Sequence, residues 1–254
     1  MEQVVVVTGA AKGIGLAIAR CFGAAGWQAA LLDIDGESVR QGSLSIPGSR
    51  AWQVDVSDYA AMDGVIGEVV GHIGLPQAIV NNAGVIHRSS VLETPPESFH
   101  QVVDTNLGGV FAGSRILATR WVEAGVGGHI VNISSGHAKI GGYNRSAYAA
   151  SKAAIEAFTR NCAVELGQHG IYVNAVAPGF TFTEMSRNSL VGERLKMVEH
   201  RLPIRRVAEA EEVARAVVSL VEGRIPYMTG QVLQIDGGWS NSDVDYTRLM
   251  PEQD

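Results

Sequence analysis

One rhythm constrains this chain more than any other feature: short aliphatic runs alternate with longer amphipathic stretches along its whole length. The runs are Val4–Val7, Ala29–Leu32, Ala51–Val54, Ala78–Val80, Ile130–Ile133, Ile171–Val176 and Val232–Ile235. Helical spacing marks Gly13–Ala25, Tyr59–Val70, Phe99–Glu123, Ser151–Leu166 and Glu209–Val221. Such alternation predicts an α/β protein: a doubly wound parallel sheet of about seven strands with helices on both faces. The runs are apolar almost throughout, as strands covered on both faces must be. The chain has 254 residues and no long linker rich in Pro, Gly or Ser, so one domain over 1–254 is expected. The most polar connector, Ser43–Ser49, is short.

Two segments break the rhythm. Residues 181–203 exceed a usual connection and carry Met185, Leu190, Leu195, Met197, Val198 and Leu202 among charged residues. That pattern predicts a lid with one apolar face over a site and one wet face. Residues 239–254 form a polar tail.

Composition narrows the function classes. With 46% hydrophobic and 18% charged residues the chain buries a core and is not disordered. Net charge is −6 with no basic stripe, which argues against nucleic acid as a partner. The first residues lack a positive n-region and the apolar runs are too short to span a bilayer. No membrane association is expected, and a cytoplasmic location is. Cys21 and Cys162 show no metal-ligand spacing, so they read as reduced thiols and no metal is expected.

The chemistry begins directly after the first run. Thr8–Gly15 joins a strand to a helix: Gly9 permits a tight turn, Gly13 admits a pyrophosphate to the backbone, and Gly15 lets helix and strand pack closely. The helix N-terminus then offers free N–H groups and a positive dipole end to phosphates. Asp33 ends the second run 18 residues after Gly15. A carboxylate there accepts from adenosine ribose hydroxyls and repels a 2′-phosphate, which predicts NAD rather than NADP. Lys12 pulls the other way, but Ile34 follows Asp33 where a phosphate reader would place Arg. Asp55 ends the third run, where it can bond an adenine amino group.

Tyr148 and Lys152 are four residues apart in a helical stretch and share a face. A neighbouring ammonium favours the phenolate, so a lowered Tyr148 pKa is expected. Ser134 and Ser135 follow the fifth run, at the sheet edge where doubly wound folds bind ligands.

Together these motifs resemble the short-chain dehydrogenase/reductase family from Val4 to Gly238. The matching elements are Thr8–Gly15, Asn81-Asn82-Ala83-Gly84, Asn106, Ser135, Tyr148-x-x-x-Lys152, Pro178-Gly179 with Thr183, and Asp236-Gly237-Gly238. The resemblance implies a Rossmann fold and a nicotinamide cofactor. Its contacts would come from Gly9, Lys12, Gly13, Ile14 and Gly15, then from Asp33, Ile34, Asp55 and Val56. Asn82, Ala83 and Gly84 would back the ribose, with Tyr148 and Lys152. Pro178, Gly179, Thr181 and Thr183 would meet the nicotinamide and phosphates.

The resemblance also assigns catalytic roles to Asn106, Ser135, Tyr148 and Lys152. Asn106 would distort its helix and hold a water in a proton relay, and Ser134 would be structural. The implied reaction interconverts a secondary alcohol or polyol and its ketone with NAD(H). Alternatives are a 3-oxoacyl-carrier-protein-type reductase, a non-redox lyase or dehalogenase, and an NAD-sensing relative. Pocket walls are expected after Gly84 (Val85, His87), after Ser135 (His137, Gly142, Tyr143, Asn144), and at Phe180 and the lid. Family members commonly form homotetramers through the long helices near Phe99 and Ala147 and the last strand.

Overall fold

The computed structural model describes residues 3–222 and 225–242. Seven parallel strands form one sheet: β1 (Val4–Thr8), β2 (Gln28–Asp33), β3 (Arg50–Gln53), β4 (Ala78–Asn81), β5 (Gly128–Ile133), β6 (Ile171–Pro178) and β7 (Val232–Ile235). Their order is β3-β2-β1-β4-β5-β6-β7. The chain thus reverses its direction of travel between β1 and β4, and such switch points open a crevice at the carboxyl ends of the strands.

Helices α1 (Gly13–Ala24), α2 (Gly36–Leu44), α3 (Tyr59–Ile73), α4 (Pro96–Val103), α5 (Gly109–Ala124) and α6 (Ser146–Leu166) follow in turn. After β6 come α7 (Glu184–Arg187), α8 (Gly192–Arg201) and α9 (Ala210–Val221). Alternate residues of each central strand face opposite layers, as a period of two requires. Val5 and Val7 pack with Ile18 and Phe22 of α1 and Val213 and Val217 of α9. Val6 packs with Ile66 of α3, Ile116 and Trp121 of α5, and Cys162 of α6. Each central strand is therefore buried twice, which is why its sequence does not alternate.

Most expected elements hold, with shifts at their ends. The third run begins a residue earlier and forms a partly exposed edge strand. The long stretch from Phe99 is three pieces: α4, a π-helical turn over Asp104–Gly108, and α5. Helix α2 was not expected, because Gly36, Ser38, Gly42 and Ser43 are weak helix formers. Asp35 caps it by accepting from Ser38 N–H at 3.1 Å, and Val39 is buried beneath it. The 181–203 segment contains a two-residue strand at Thr181–Phe182 paired with Ala208–Glu209, then α7 and α8. Most of the expected tail, 243–254, lies outside the described residues.

A chain of polar side chains crosses the core under β4 and β5. Asn81 Nδ2 donates to Ser114 Oγ (3.0 Å) and to Asn132 Oδ1 (2.9 Å), and Asn132 Nδ2 donates to Thr159 Oγ1 (2.9 Å). All four residues are buried, so each amide depends on its partner. Replacing Thr159 with Val keeps the shape but strands the Asn132 donor. Urea denaturation of T159V should show a loss of about 1–3 kcal/mol; an unchanged midpoint would mean the amide chain is not what ties α6 to the sheet.

Candidate active site

The candidate site residues gather at the carboxyl edge of the sheet. Around the first turn, a β-carbon on Gly9 (φ +62°) would lie 2.7 Å from Ala83 Cα. One on Gly15 would overlap the Gly9 carbonyl oxygen and lie 2.6 Å from Asn82 Nδ2. Only glycine lets α1 start this close to β1 and β4. Thr8 and Asn82 lock the approach. Thr8 Oγ1 accepts from the N–H groups of Asn82 (3.0 Å) and Ala83 (3.1 Å), while Asn82 Nδ2 donates to the carbonyls of Thr8 (2.9 Å) and Gly9 (3.0 Å). Side-chain groups thus hold the cradle's underside, leaving the α1 N-terminus, where Lys12 is the cap residue without a side-chain bond, to face a ligand.

Ile14 packs partly against the core. Asp33 sits beside the cradle with both oxygens oriented: Oδ2 accepts from Ala11 N–H at 2.9 Å and Oδ1 from Asp35 N–H at 3.0 Å. Ile34 is exposed, and the Lys12 charge acts on Asp35, whose carboxyl its Ser38 bonds hold below the usual range. Asp55 Oδ1 is held by Ser57, and Val56 is buried against Gly109. Opposite, a β-carbon on Gly13 would touch Thr183 at 3.4 Å, so the segment after β6 lies against the cradle. Gly179 N–H donates to Ile235 O after Pro178 ends β6, Thr181 is buried, and Thr183 caps α7. The glycines, the free helix end and the fixed carboxylate fit a dinucleotide.

The second half of the site is built on α6. Arg145 is its N-cap residue, Tyr148 lies in its first turn and Lys152 one turn further. Lys152 is buried, and its Nζ donates to Ile133 O at 2.7 Å, 5.7 Å from the Tyr148 ring centroid. Burial pushes the Lys152 ammonium down to about 8. Ser135 is buried at the end of β5; its hydroxyl accepts from His137 N–H at 3.2 Å and works to lower the pKa of the Tyr148 phenol. Ser134 instead bonds α6 itself, at Lys152 O (3.2 Å) and Glu156 Oε1 (3.0 Å), a structural role toward the helix rather than a loop.

Asn106 lies at the centre of the π turn and is fully buried. Its Oδ1 accepts from Val85 N–H (2.7 Å), and its Nδ2 donates to Val85 O (3.0 Å) and Ser151 Oγ (3.0 Å). The expected helix distortion is present. Both side-chain donors are spent within the protein, so the amide fixes the Val85 segment against α6. A β-carbon on Gly84 would sit 3.1 Å from Asn106 Oδ1 and 3.6 Å from Lys152 Nζ, which places all three together.

Three expectations change. Burial pushes the Tyr148 phenol up; Ser135 and the Arg145 and Arg88 charges oppose it, and Lys152, turned to Ile133 O, is not among them. Tyr143 is 86% exposed rather than part of an enclosed wall. In the lid, Leu190 and Leu202 bury with Val207 against Phe180, Phe182, Leu195, Val198 and Trp239, but Met197 is 61% exposed. His137 does reach the site: its ring meets Tyr148 at 6.4 Å and Trp239 at 5.0 Å, and Phe180 packs at a tilt on Trp239 at 4.9 Å. Burial, then the Arg145 charge, pushes His137 down, so it is neutral at pH 7. The sequence places Trp239 in the tail and gives Arg145 no role, although its place three residues before Tyr148 is an available signal.

A family profile described as enoyl-(acyl carrier protein) reductase matches residues 9–240. An L-rhamnose 1-dehydrogenase (NAD(P)(+)) of Azotobacter vinelandii is 32% identical, covering 94% of this chain and 96% of that protein. A 3-oxoacyl-acyl-carrier-protein reductase of Chlamydia muridarum is 34% identical over 94% and 97%. The chain belongs to the short-chain dehydrogenase/reductase family. A crystal structure of a gluconate 5-dehydrogenase from Burkholderia cenocepacia J2315, in complex with NADP and tartrate, superposes with a TM-score of 0.90 at 26% identity, covering 95% and 97%. Membership makes this short-chain dehydrogenase/reductase an oxidoreductase of small molecules, in a family that uses a nicotinamide cofactor. No helix among the described residues is long and apolar enough to cross a membrane.

Lys152 offers a test through pH. Its folded pKa of about 8 lies below its ordinary 10.5. Below pH 8 both states carry the proton and the burial penalty is complete. Between about 8 and 10.5 the unfolded chain binds the extra proton, so stability rises with pH. Relative to K152M, the ligand-free wild type should gain about 2 kcal/mol from pH 7 to 9.5, at 1.36 kcal/mol per unit. Denaturant titrations at both pH values measure it, and parallel pH profiles would refute a depressed Lys152.

Proposed function

We propose that this protein interconverts a secondary alcohol or polyol and its ketone using NAD(H), with Tyr148 as acid/base. The observation that carries this reading is the convergence of Ser135, Tyr148 and Lys152 at one edge, beside a glycine cradle shaped for a dinucleotide. A bound nicotinamide would exchange a hydride with the carbinol carbon. Tyr148 takes the hydroxyl proton in oxidation and returns it in reduction. Ser135 steadies the substrate oxygen as its charge develops. Lys152 holds the nicotinamide ribose, and Asn106 fixes the Gly84–Val85 wall behind it. Asp33, with both oxygens oriented beside the cradle, favours NAD over NADP, while the gluconate 5-dehydrogenase holds NADP.

The sugar and polyol dehydrogenases among the relatives support the alcohol class. A carrier-linked 3-oxoacyl reduction is the second reading, favoured by the Chlamydia relative. A cytoplasmic homotetramer fits the free thiols and the apolar Phe111 on α5 and Val164 on α6, both exposed in the single chain.

Y148F keeps the ring and loses the titrating oxygen. It should lower kcat by about 10³-fold, within the range of general acid–base catalysis, while NADH affinity by fluorescence titration stays within about threefold. Retention of most of the wild-type rate would remove Tyr148 from the mechanism. Assays with NAD(H) and NADP(H) should favour NAD(H), and D33A should shrink that preference.

A further inference from the structure

Positive charge gathers near Tyr148, and among the described residues no carboxylate pairs with it. Arg145 caps the start of α6, three residues before Tyr148, a rise of about 5 Å along the helix. Its side chain is half-buried. A β-carbon on Gly142 would lie 3.4 Å from Arg145 Cδ and 2.8 Å from the His137 ring, so the guanidinium stem and His137 flank Gly142. His137 in turn lies against Tyr148 and Trp239. Arg145 is thus part of the wall beside His137 and the phenol, and its guanidinium donates from Nη1 to Tyr143 O at 3.3 Å.

Arg88, from the segment after Gly84, and Arg194, from α8 of the lid, are both exposed and lie near enough for their charges to reach Arg145. Both act on Arg145, and Arg88 and Arg145 act on Tyr148. These arginines come from separate parts of the chain, so sequence proximity does not explain their meeting. Among the described residues none of the three forms an ion pair with a carboxylate; Arg40, Arg120 and Arg206 elsewhere each do. Two buried polar atoms nearby also lack partners: His137 Nδ1 and Oδ1 of Asn144, a residue at φ +58°. Converging guanidiniums without a counter-charge repel one another, and an anion of matching geometry relieves that repulsion.

Resting on the dehydrogenase reading above, we propose that the substrate carries a carboxylate, gripped by Arg145 in the field of Arg88 and Arg194, within a few carbons of the reacting carbinol. The short step from Arg145 to Tyr148 sets that reach. A phosphopantetheine phosphate is separated from its acyl carbonyl by a long arm and would overshoot it. The glycine cradle, which suits the cofactor phosphates, lies across the sheet edge at the start of α1.

The test compares aldonates with alditols of equal length: threonate with threitol, xylonate with xylitol, gluconate with glucitol. Each is assayed with saturating NAD or NADP. The carboxylate should raise kcat/KM at least about tenfold, as one charge-assisted pair allows. R145M should lower that selectivity ratio at least tenfold, and R145K should recover part of it. Unchanged NADH affinity in each variant shows that it is folded. Equal or better use of the neutral alcohols by the wild type, or an unaltered ratio in R145M, overturns the carboxylate and leaves the dehydrogenase reading standing. If no pair turns over, calorimetric titration of gluconate into the enzyme–NADH complex decides: binding that weakens in R145M supports the proposal, and no binding overturns it. Failure of the dehydrogenase reading shows separately, as an active Y148F.

Discussion

The clasp between Thr8 and Asn82 is the interaction on which the rest of this structure depends. One hydroxyl and one amide tie the carboxyl ends of β1 and β4, the two strands between which the sheet changes direction. With their ends fixed, the turn after β1 has no room for a β-carbon at Gly9 or Gly15, and α1 must begin directly against the sheet. The free N–H groups of that helix and the oriented Asp33 follow from this closeness. Loosening the clasp would free the turn, misplace the helix end and release Asp33 from Ala11 N–H.

The other half of the site depends on a different constraint, the burial of polar groups along α6. Lys152, Ser151, Thr159 and Glu156 are all buried and face partners on β5, the π turn or Ser134. Those bonds fix the rotation of the helix about its axis, and through it the direction of Tyr148. The penalty for burying an ammonium is visible in the lowered Lys152 pKa. A site built this way tolerates no sliding of α6, because each step along the helix would leave a donor unpaired.

What the sequence made legible was whatever depends on local order. Strand and helix alternation reports the layers, and the cradle lies within eight consecutive residues. Tyr148 and Lys152 are one turn apart, so helical geometry alone joins them. Asn106 is legible only through the family resemblance, and a π turn centres on it. Illegible were α2, whose weak formers are rescued by a cap and one buried valine, and the sign of the Tyr148 shift. That sign is set by burial, which only the folded chain reveals. Trp239 looked like the beginning of a tail, yet it packs on His137 and Phe180, whose positions in space no periodicity encodes.

The electrostatics of Tyr148 joins chemistry to recognition. Burial raises its pKa, and the influences that lower it are Ser135, Arg145 and Arg88. Two of these three are the arginines assigned to the substrate carboxylate. An anion seated on them cancels part of their field, so the phenol holds its proton more tightly while the anionic partner is bound. A raised pKa keeps the phenol in the protonated state that can donate to a ketone, makes it a weaker acid, and leaves less phenolate to serve as base toward an alcohol. The bound nicotinamide, positively charged in its oxidised form and neutral when reduced, acts on the same phenol in the opposite sense. With the proposed carboxylate and an oxidised nicotinamide both seated, the protonation of Tyr148 would answer to their two charges as well as to its own burial.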